Sequence, residues 1–316
     1  MEKRTLGNTD IQLAPLVFGG NVFGWTADEP TSFQLLDAFT DAGFNGIDTS
    51  DNYTAWIPGN TGGDSERVIG KWLKKSGKRD KVVIATKVGG KFSEEKKGLK
   101  KAYILQSIED SLTRLQTDYI DLYQTHYDDL ETPIEETLEA YAEIVRSGKV
   151  RAIGTSNMTV ERLAESIQIS QQKGFPLYQS LQPEYNLLER EKYETQYAPF
   201  VTEHNIGVIP FFALASGFLT GKYRSEKDLE GSSRTKYVSR YINERGFKIL
   251  NTLDEVAAQY NSKPGTVAIA WVMAQPGITA PIASASNMAQ FNDLIAAASL
   301  KLDASAMELL NTASAY

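Results

Sequence analysis

Asp48, Tyr53, Lys87 and His126 are the residues of this 316-residue chain whose types and positions could do chemistry together. Asp48 closes a short run from Phe44 to Ile47, and Tyr53 follows the acid five residues later. Lys87 closes the run Val82-Val83-Ile84-Ala85-Thr86, and His126 closes Ile120-Asp121-Leu122-Tyr123-Gln124-Thr125. Each alone has an ordinary explanation: a strand-terminal Asp caps a turn, a lone Lys is solvated, a lone Tyr or His is packed. If the three runs are parallel neighbouring strands, however, an acid, a phenol, an amine and an imidazole open onto one face of one sheet. A phenol with a pKa near ~10 is a poor acid at neutral pH. An adjacent ammonium stabilises the phenolate and is expected to lower that pKa, while the Asp48 carboxylate keeps Lys87 charged and in place. A phenol and an imidazole aimed at one oxygen make a carbonyl site, because that oxygen gains negative charge as hydride reaches carbon. None of these side chains supplies a hydride, so the chemistry requires a nicotinamide cofactor.

The elements that must position these groups follow a regular alternation. Arg4-Thr5-Leu6 and Ile11-Gln12-Leu13 flank the turn residues Gly7-Asn8-Thr9-Asp10 and predict an N-terminal β-hairpin. After it, short apolar strands alternate with amphipathic helices. The strands are Pro15 to Gly19, the three runs above, Arg151 to Thr155, Leu177 to Leu181, Gly207 to Phe211 and Thr279 to Ala283. Helical stripes lie between them, the clearest being Ile104, Ile108, Leu112 and Leu115. One helix is expected over roughly Glu189 to His204, an irregular stretch over Phe212 to about Tyr241, and a terminal helix capped by Asp303. Eight strand–helix units imply a parallel sheet closed as a single (β/α)8 TIM barrel, α/β in class. The rival open sheet is marked by Gly-x-Gly-x-x-Gly after the first strand, a spacing that Phe18-Gly19-Gly20-Asn21-Val22-Phe23-Gly24 lacks. No composition break divides the chain, so residues 1–316 are read as one domain.

Composition narrows the chemistry further. A net charge of −7 argues against a nucleic-acid or anionic-membrane surface. With no cysteine there is no disulfide, thiolate metal site or cysteine nucleophile, and two histidines cannot build a histidine-rich metal centre. Met1-Glu2-Lys3-Arg4 does not lead into an apolar signal core, and a cytoplasmic protein is expected.

With these residues in place, the sequence resembles the aldo-keto reductases over essentially its whole length. That family's Asp, Tyr, Lys and His tetrad, with the Tyr five residues after the Asp, is matched by Asp48, Tyr53, Lys87 and His126. The resemblance implies a hairpin-capped barrel and reversible, NADPH-dependent reduction of an aldehyde or ketone, the cofactor binding first in an extended pose.

It also implies cofactor positions. Ser156 and Asn157, in Gly154-Thr155-Ser156-Asn157, and Gln182 match residues that contact the nicotinamide amide. Phe211 stands where an aromatic stacks on the nicotinamide ring; Phe keeps the π-face and lacks the polar handle of Tyr or Trp. The stretch from Leu214 to Tyr223 resembles the loop around the pyrophosphate, with Leu214, Ser216, Gly217 and the charge of Lys222 as its contacts. Ser286, Gln290 and Asp293 match the adenosine end, and Ser284 of the same segment is a further cofactor candidate. That segment has no Lys or Arg to meet a 2′-phosphate, a departure from many members that a distant basic residue such as Arg234 would have to offset. NADPH is the expected cofactor, with NADH as the alternative.

Trp25, Trp56 and Tyr127 fall on or beside strand-end loops and are candidate pocket walls, or loop packing, whereas Trp72 sits on a helical stripe and reads as core. Few residues follow the last predicted helix, so an open site for a small carbonyl compound or sugar is expected. The competing reading is a cofactor-sensing regulatory subunit resembling the potassium-channel β subunits, which turnover on ordinary aldehydes separates from an enzyme. A metal-dependent barrel hydrolase is disfavoured by the scarcity of histidine.

Overall fold

The computed structural model describes residues 1–90, 92, 97–231 and 234–316. Two short strands, β1 (Arg4–Thr5) and β2 (Gln12–Leu13), form the antiparallel N-terminal hairpin, with Arg4 opposite Leu13. Eight parallel strands follow: β3 (Val17–Gly19), β4 (Gly46–Asp48), β5 (Val83–Val88), β6 (Ile120–Thr125), β7 (Val150–Ser156), β8 (Tyr178–Gln182), β9 (Gly207–Val208) and β10 (Ile282–Ala283). Their order is β10-β3-β4-β5-β6-β7-β8-β9. The ring closes through the segment before β10. The Thr279 amide donates to Val208 O at 2.8 Å, Ile282 N to Pro210 O at 2.8 Å, and Val17 N to Pro281 O at 3.0 Å on the other side. The fold is therefore the α/β, (β/α)8 barrel that the alternation predicts.

Two apolar regions hold it. The larger lies between the strands and the surrounding helices, where Ile104, Ile108 and Leu115 are completely buried and Leu112 nearly so. The smaller fills the inside of the barrel. Val17, Val83, Ala85, Leu122, Ala152 and Ile282 point inward from the strands and meet Leu6, Ile11 and Leu13 of the hairpin. Each fully buried Leu or Ile contributes about 1.5–3 kcal/mol. The hairpin thus plugs the end of the barrel where Val17 and Val83 begin their strands. Arg4 Nη1 fastens it by donating to Met273 O at 3.0 Å and Ile278 O at 2.8 Å. The other rim is formed by the C-terminal strand ends.

Helix boundaries follow their caps. Asp28, Thr159, Asn243, Asn287 and Asp303 each accept an amide proton of the following turn, a contact worth about 1 kcal/mol. Three expectations are adjusted. The strand holding Lys87 runs on to Val88, because Lys87 and Val88 pair with Gln124 and Thr125, so Lys87 is a strand residue. The helix expected over roughly Glu189 to His204 is present over 191–203 but contains a π-helical segment, Tyr193–Tyr197, before Ala198–Glu203; Pro199 has no N–H with which to continue the α-helical ladder. The irregular stretch after Phe212 contains 3-10 turns at Ala215–Thr220, Glu226–Leu229 and Ser239–Tyr241 and a short helix, Thr235–Val238. Among the described residues no helix is long and apolar enough to cross a membrane.

Candidate active site

The strand ends converge on Lys87. Its ammonium donates to Asp48 Oδ2 at 2.6 Å, to the Thr49 carbonyl at 2.7 Å and to the Tyr53 hydroxyl oxygen at 2.9 Å. Three protons thus meet three acceptors, in a side chain that is 0 % exposed. The other oxygen of Asp48 accepts from Gln182 Nε2 at 2.9 Å and Gln124 Nε2 at 3.4 Å. The carboxylate at the end of β4 is therefore held by residues of the neighbouring β5, of β6 beyond it and of β8 across the ring.

This arrangement decides which way the Tyr53 proton points. Lysine has no acceptor, so the phenol oxygen accepts from Lys87 and keeps its own proton for another partner. The nearest protein acceptor, Asp48 Oδ2, is 3.4 Å away and already takes the shorter bond from Lys87. The pKa of Tyr53 is raised well above the ordinary phenol value, first by burial and then by the Asp48 carboxylate. The expected lowering by Lys87 is not found: burial of the phenol, and then the Asp48 carboxylate beside it, prevail. Burial pulls Lys87 itself down, against the attraction of Asp48. The phenol is thus a protonated donor throughout the neutral range.

His126 lies beside this cluster, its ring 6.0 Å from that of Tyr53. Burial, and then the charge of Lys87, push its pKa well below the usual imidazole value, so the ring is neutral at pH 7. Its Nδ1 is 3.1 Å from the Ser50 hydroxyl, and its carbonyl accepts from Asn157 Nδ2 at 2.9 Å.

The positions assigned to a cofactor fall into three places around the rim. Ser156 and Gln182, at the ends of β7 and β8, are joined by Ser156 Oγ donating to Gln182 O at 2.8 Å. Asn157 is exposed and left-handed, φ 51°, and donates to Ser156 Oγ at 3.1 Å. This cluster of carboxamides and a hydroxyl suits a primary amide, which needs both donors and acceptors. Phe211 is half-buried beside Phe212, ring centroids 5.1 Å apart. At the second place Ala215, Ser216 and Gly217 have φ of 46°, 56° and 94°, and the Leu214 carbonyl accepts from Gly217 N at 2.8 Å. A Cβ on Gly217 would lie 3.3 Å from Lys222 Nζ. An exposed ammonium laid across a bare stretch of backbone suits a phosphate.

At the third place the side chains already have partners. Ser284 Oγ donates to Asn21 Oδ1 at 2.7 Å, Gln290 Oε1 accepts from Ser286 N at 2.9 Å, and Asp293 pairs with Lys263 at 2.7 Å. Ser286 Oγ is 2.8 Å from Thr26 Oγ1, and Arg234 stacks its guanidinium 4.5 Å from the neighbouring Trp25 ring.

The three aromatic wall candidates line the lip. Trp25 and Trp56 meet edge to face at 5.7 Å, Trp56 stands 6.3 Å from the Tyr53 ring, and Tyr127 stacks on His126 at 4.6 Å. The rings thus pack on one another and on Tyr53 and His126, while Trp56 and Tyr127 remain 51% and 49% exposed. Trp72 is buried core, its indole N–H donating to Asp37 at 3.0 Å. The sequence reading missed Gln124, the Thr49 carbonyl and Ser50. A signal existed for Ser50, which stands two residues past Asp48 and so on the same side of an extended chain.

A family model described as the aldo/keto reductase family matches residues 15–315. Among similar proteins, an uncharacterized oxidoreductase of Bacillus subtilis, YrpG, is 34% identical, the match covering 98% of this chain and 95% of that one. The aldo-keto reductase YhdN of the same organism is 35% identical over 88% of this chain and 82% of its own. A probable voltage-gated potassium channel subunit beta of Oryza sativa subsp. japonica is 29% identical, over 90% and 88%. With a model that runs from before the first barrel strand to beyond the last helix, this chain belongs to the aldo/keto reductase family, a family of oxidoreductases.

Proposed function

We propose that the protein is an NADPH-dependent oxidoreductase that reduces an aldehyde, ketone or sugar carbonyl to the alcohol, reversibly, with Tyr53 as the general acid. The observation that carries this reading is the fully donated ammonium of Lys87, 2.9 Å from the Tyr53 oxygen and 2.6 Å from Asp48. A reduced nicotinamide, when bound, supplies the hydride that no side chain here can supply. Ser156, Asn157 and Gln182 would hold its amide and Phe211 its ring. Leu214, Ser216, Gly217 and Lys222 would hold the pyrophosphate, and Ser284, Ser286, Gln290 and Asp293 the adenosine end. Because the last segment has no basic residue, NADH stays as the alternative.

The chain's own residues handle the proton. Tyr53 delivers it to the carbonyl oxygen. As it leaves, the charge that develops on the phenol lies next to Lys87, a donor already in place that needs no reorganisation. Asp48 keeps that lysine charged and fixed. Neutral His126 donates to the same oxygen and sets its direction, while Trp25, Trp56 and Tyr127 border the space for the carbonyl compound. The whole chain acts as one unit in this reading, on a small molecule in the cytoplasm.

Fluorescence titration with NADPH and NADH, followed by nucleotide oxidation with a panel of aldehydes, ketones and sugars, tests it. Tight NADPH binding with turnover is expected; binding of neither nucleotide overturns it. The relatives named as probable potassium channel β subunits in Oryza sativa and Arabidopsis thaliana favour a second reading, a nucleotide-sensing regulatory subunit. Binding without turnover across the panel would shift the assignment to it.

A further inference from the structure

His126 can donate to a carbonyl oxygen only from a protonated ring nitrogen, and a neutral imidazole has one. Nε2 has no protein partner among the described residues, whereas Nδ1 meets the Ser50 hydroxyl at 3.1 Å. If Nδ1 carried the proton, Ser50 would accept it and Nε2 would be a bare acceptor, useless toward a carbonyl. We propose that Ser50 is a positioning residue, donating its hydroxyl proton to His126 Nδ1 and so fixing the ring with its proton on Nε2. This rests on the reading of the cleft as a carbonyl-reducing site.

Ser50 has one proton and three neighbours that could take it. Its oxygen is 2.9 Å from Asn52 Oδ1, 3.2 Å from Asp51 Oδ1 and 3.1 Å from His126 Nδ1. The surroundings decide among them. Asp51 is 2 % exposed, and its Oδ2 is a buried oxygen with no partner. Burial and the nearby Glu66 raise its pKa well above the usual carboxylate value, against the opposing charge of Arg114. So shifted, the Asp51 carboxyl takes up a proton more readily than an ordinary carboxylate, and in that form it does not compete for the Ser50 proton and can itself donate to the Ser50 oxygen. The Asn52 amide, turned end for end, presents NH2 to the same oxygen, and the Asn52 backbone N–H already points there at 3.5 Å. Donors on that side leave the Ser50 proton one good acceptor, the imidazole. Ser50 and His126 come from β4's exit and β6's exit, 76 positions apart in sequence, so the contact is made only once these strands stand in one sheet with β5 between them.

The test uses the fact that the chain has only two histidines. In the full chain carrying His204→Gln and labelled with 15N, one imidazole remains. Its long-range proton–nitrogen correlations report which ring nitrogen is protonated. The expected result is a protonated Nε2 and a bare Nδ1. Ser50→Ala is expected to move the ring toward the other tautomer and to lower kcat/KM for carbonyl reduction about 5- to 100-fold, the usual effect of a buried group losing its partner, with nucleotide affinity unchanged. Ser50→Cys, of similar size but a weaker donor, is expected to fall between, and stands in if Ser50→Ala does not fold. A protonated Nδ1 in the parent, or ring resonances unchanged in both variants, overturns the proposal. The spectrum needs no turnover. A protein that reduced no carbonyl would therefore overturn the parent reading while the spectrum still decided the Ser50 bond.

Discussion

Lys87 and Lys222 are both read as facing one nucleotide, yet they are held in opposite ways. Lys87 is completely buried and bonded to three residues of the rim, Asp48, Thr49 and Tyr53, 34 to 39 positions away in sequence. Lys222 is exposed on a turn of left-handed residues, lying across Gly217 and 4.8 Å from the ring of the adjacent Tyr223. The first is built into the barrel and the second is laid on it. In that reading the reacting end is pre-arranged by the same packing that stabilises the fold, while the grip on the phosphates is local. Damage at the first should cost both folding and chemistry; damage at the second should cost affinity alone.

The largest effect is expected from Lys87→Met, which leaves the Asp48 carboxylate buried without its ion pair. Breaking such a pair costs about 3–5 kcal/mol, to be read from denaturant unfolding, and turnover should vanish with it. A variant as stable as the parent would break the comparison on its structural side. Lys222→Ala should leave stability within about 0.5 kcal/mol and weaken NADPH binding roughly tenfold, about 1.4 kcal/mol, in a fluorescence titration. An unchanged affinity would remove Lys222 from the grip.

The smallest expected effect is in pH. With Tyr53 held above 10.0 and His126 below 6.5, neither group changes charge between those values. The rate of carbonyl reduction at saturating nucleotide should therefore be flat from pH 6.5 to 10 as far as these groups are concerned. A steep fall centred near pH 8 to 9 would show a phenol acidified by Lys87 instead. Stability is the poorer readout. The lowered pKa of His126 makes the unfolded chain bind more protons below pH 6.5, so stability from this group falls as pH falls. The raised pKa of Asp51 makes the folded chain hold a proton that the unfolded chain releases above 3.8, so stability from that group falls as pH rises. The two oppose each other over one window.

Much of this was legible in the sequence, for identifiable reasons. Short apolar runs alternating with stripes such as Ile104, Ile108, Leu112 and Leu115 carry the barrel, because burial on both faces of a parallel strand leaves a continuous signature. Parallel neighbours then place Asp48, Lys87 and His126 on one rim without further information. What depends on exact side-chain reach was not legible. The hairpin could be read, but not that Leu6, Ile11 and Leu13 enter the barrel. The Asp293–Lys263 pair joins a helix to the residue before another, and no pattern announces it. The sign of the Tyr53 shift turned first on its burial and then on the nearness of the Asp48 carboxylate, which composition cannot supply.

Tyr53→Phe tests the central claim most directly. It removes one oxygen and leaves Lys87 its bonds to Asp48 and Thr49. NADPH affinity and turnover would be measured on the same preparation. The account predicts affinity close to the parent's and a loss of carbonyl reduction of about 10²–10⁴-fold, the usual contribution of a placed general acid. Turnover retained at the parent rate would contradict it.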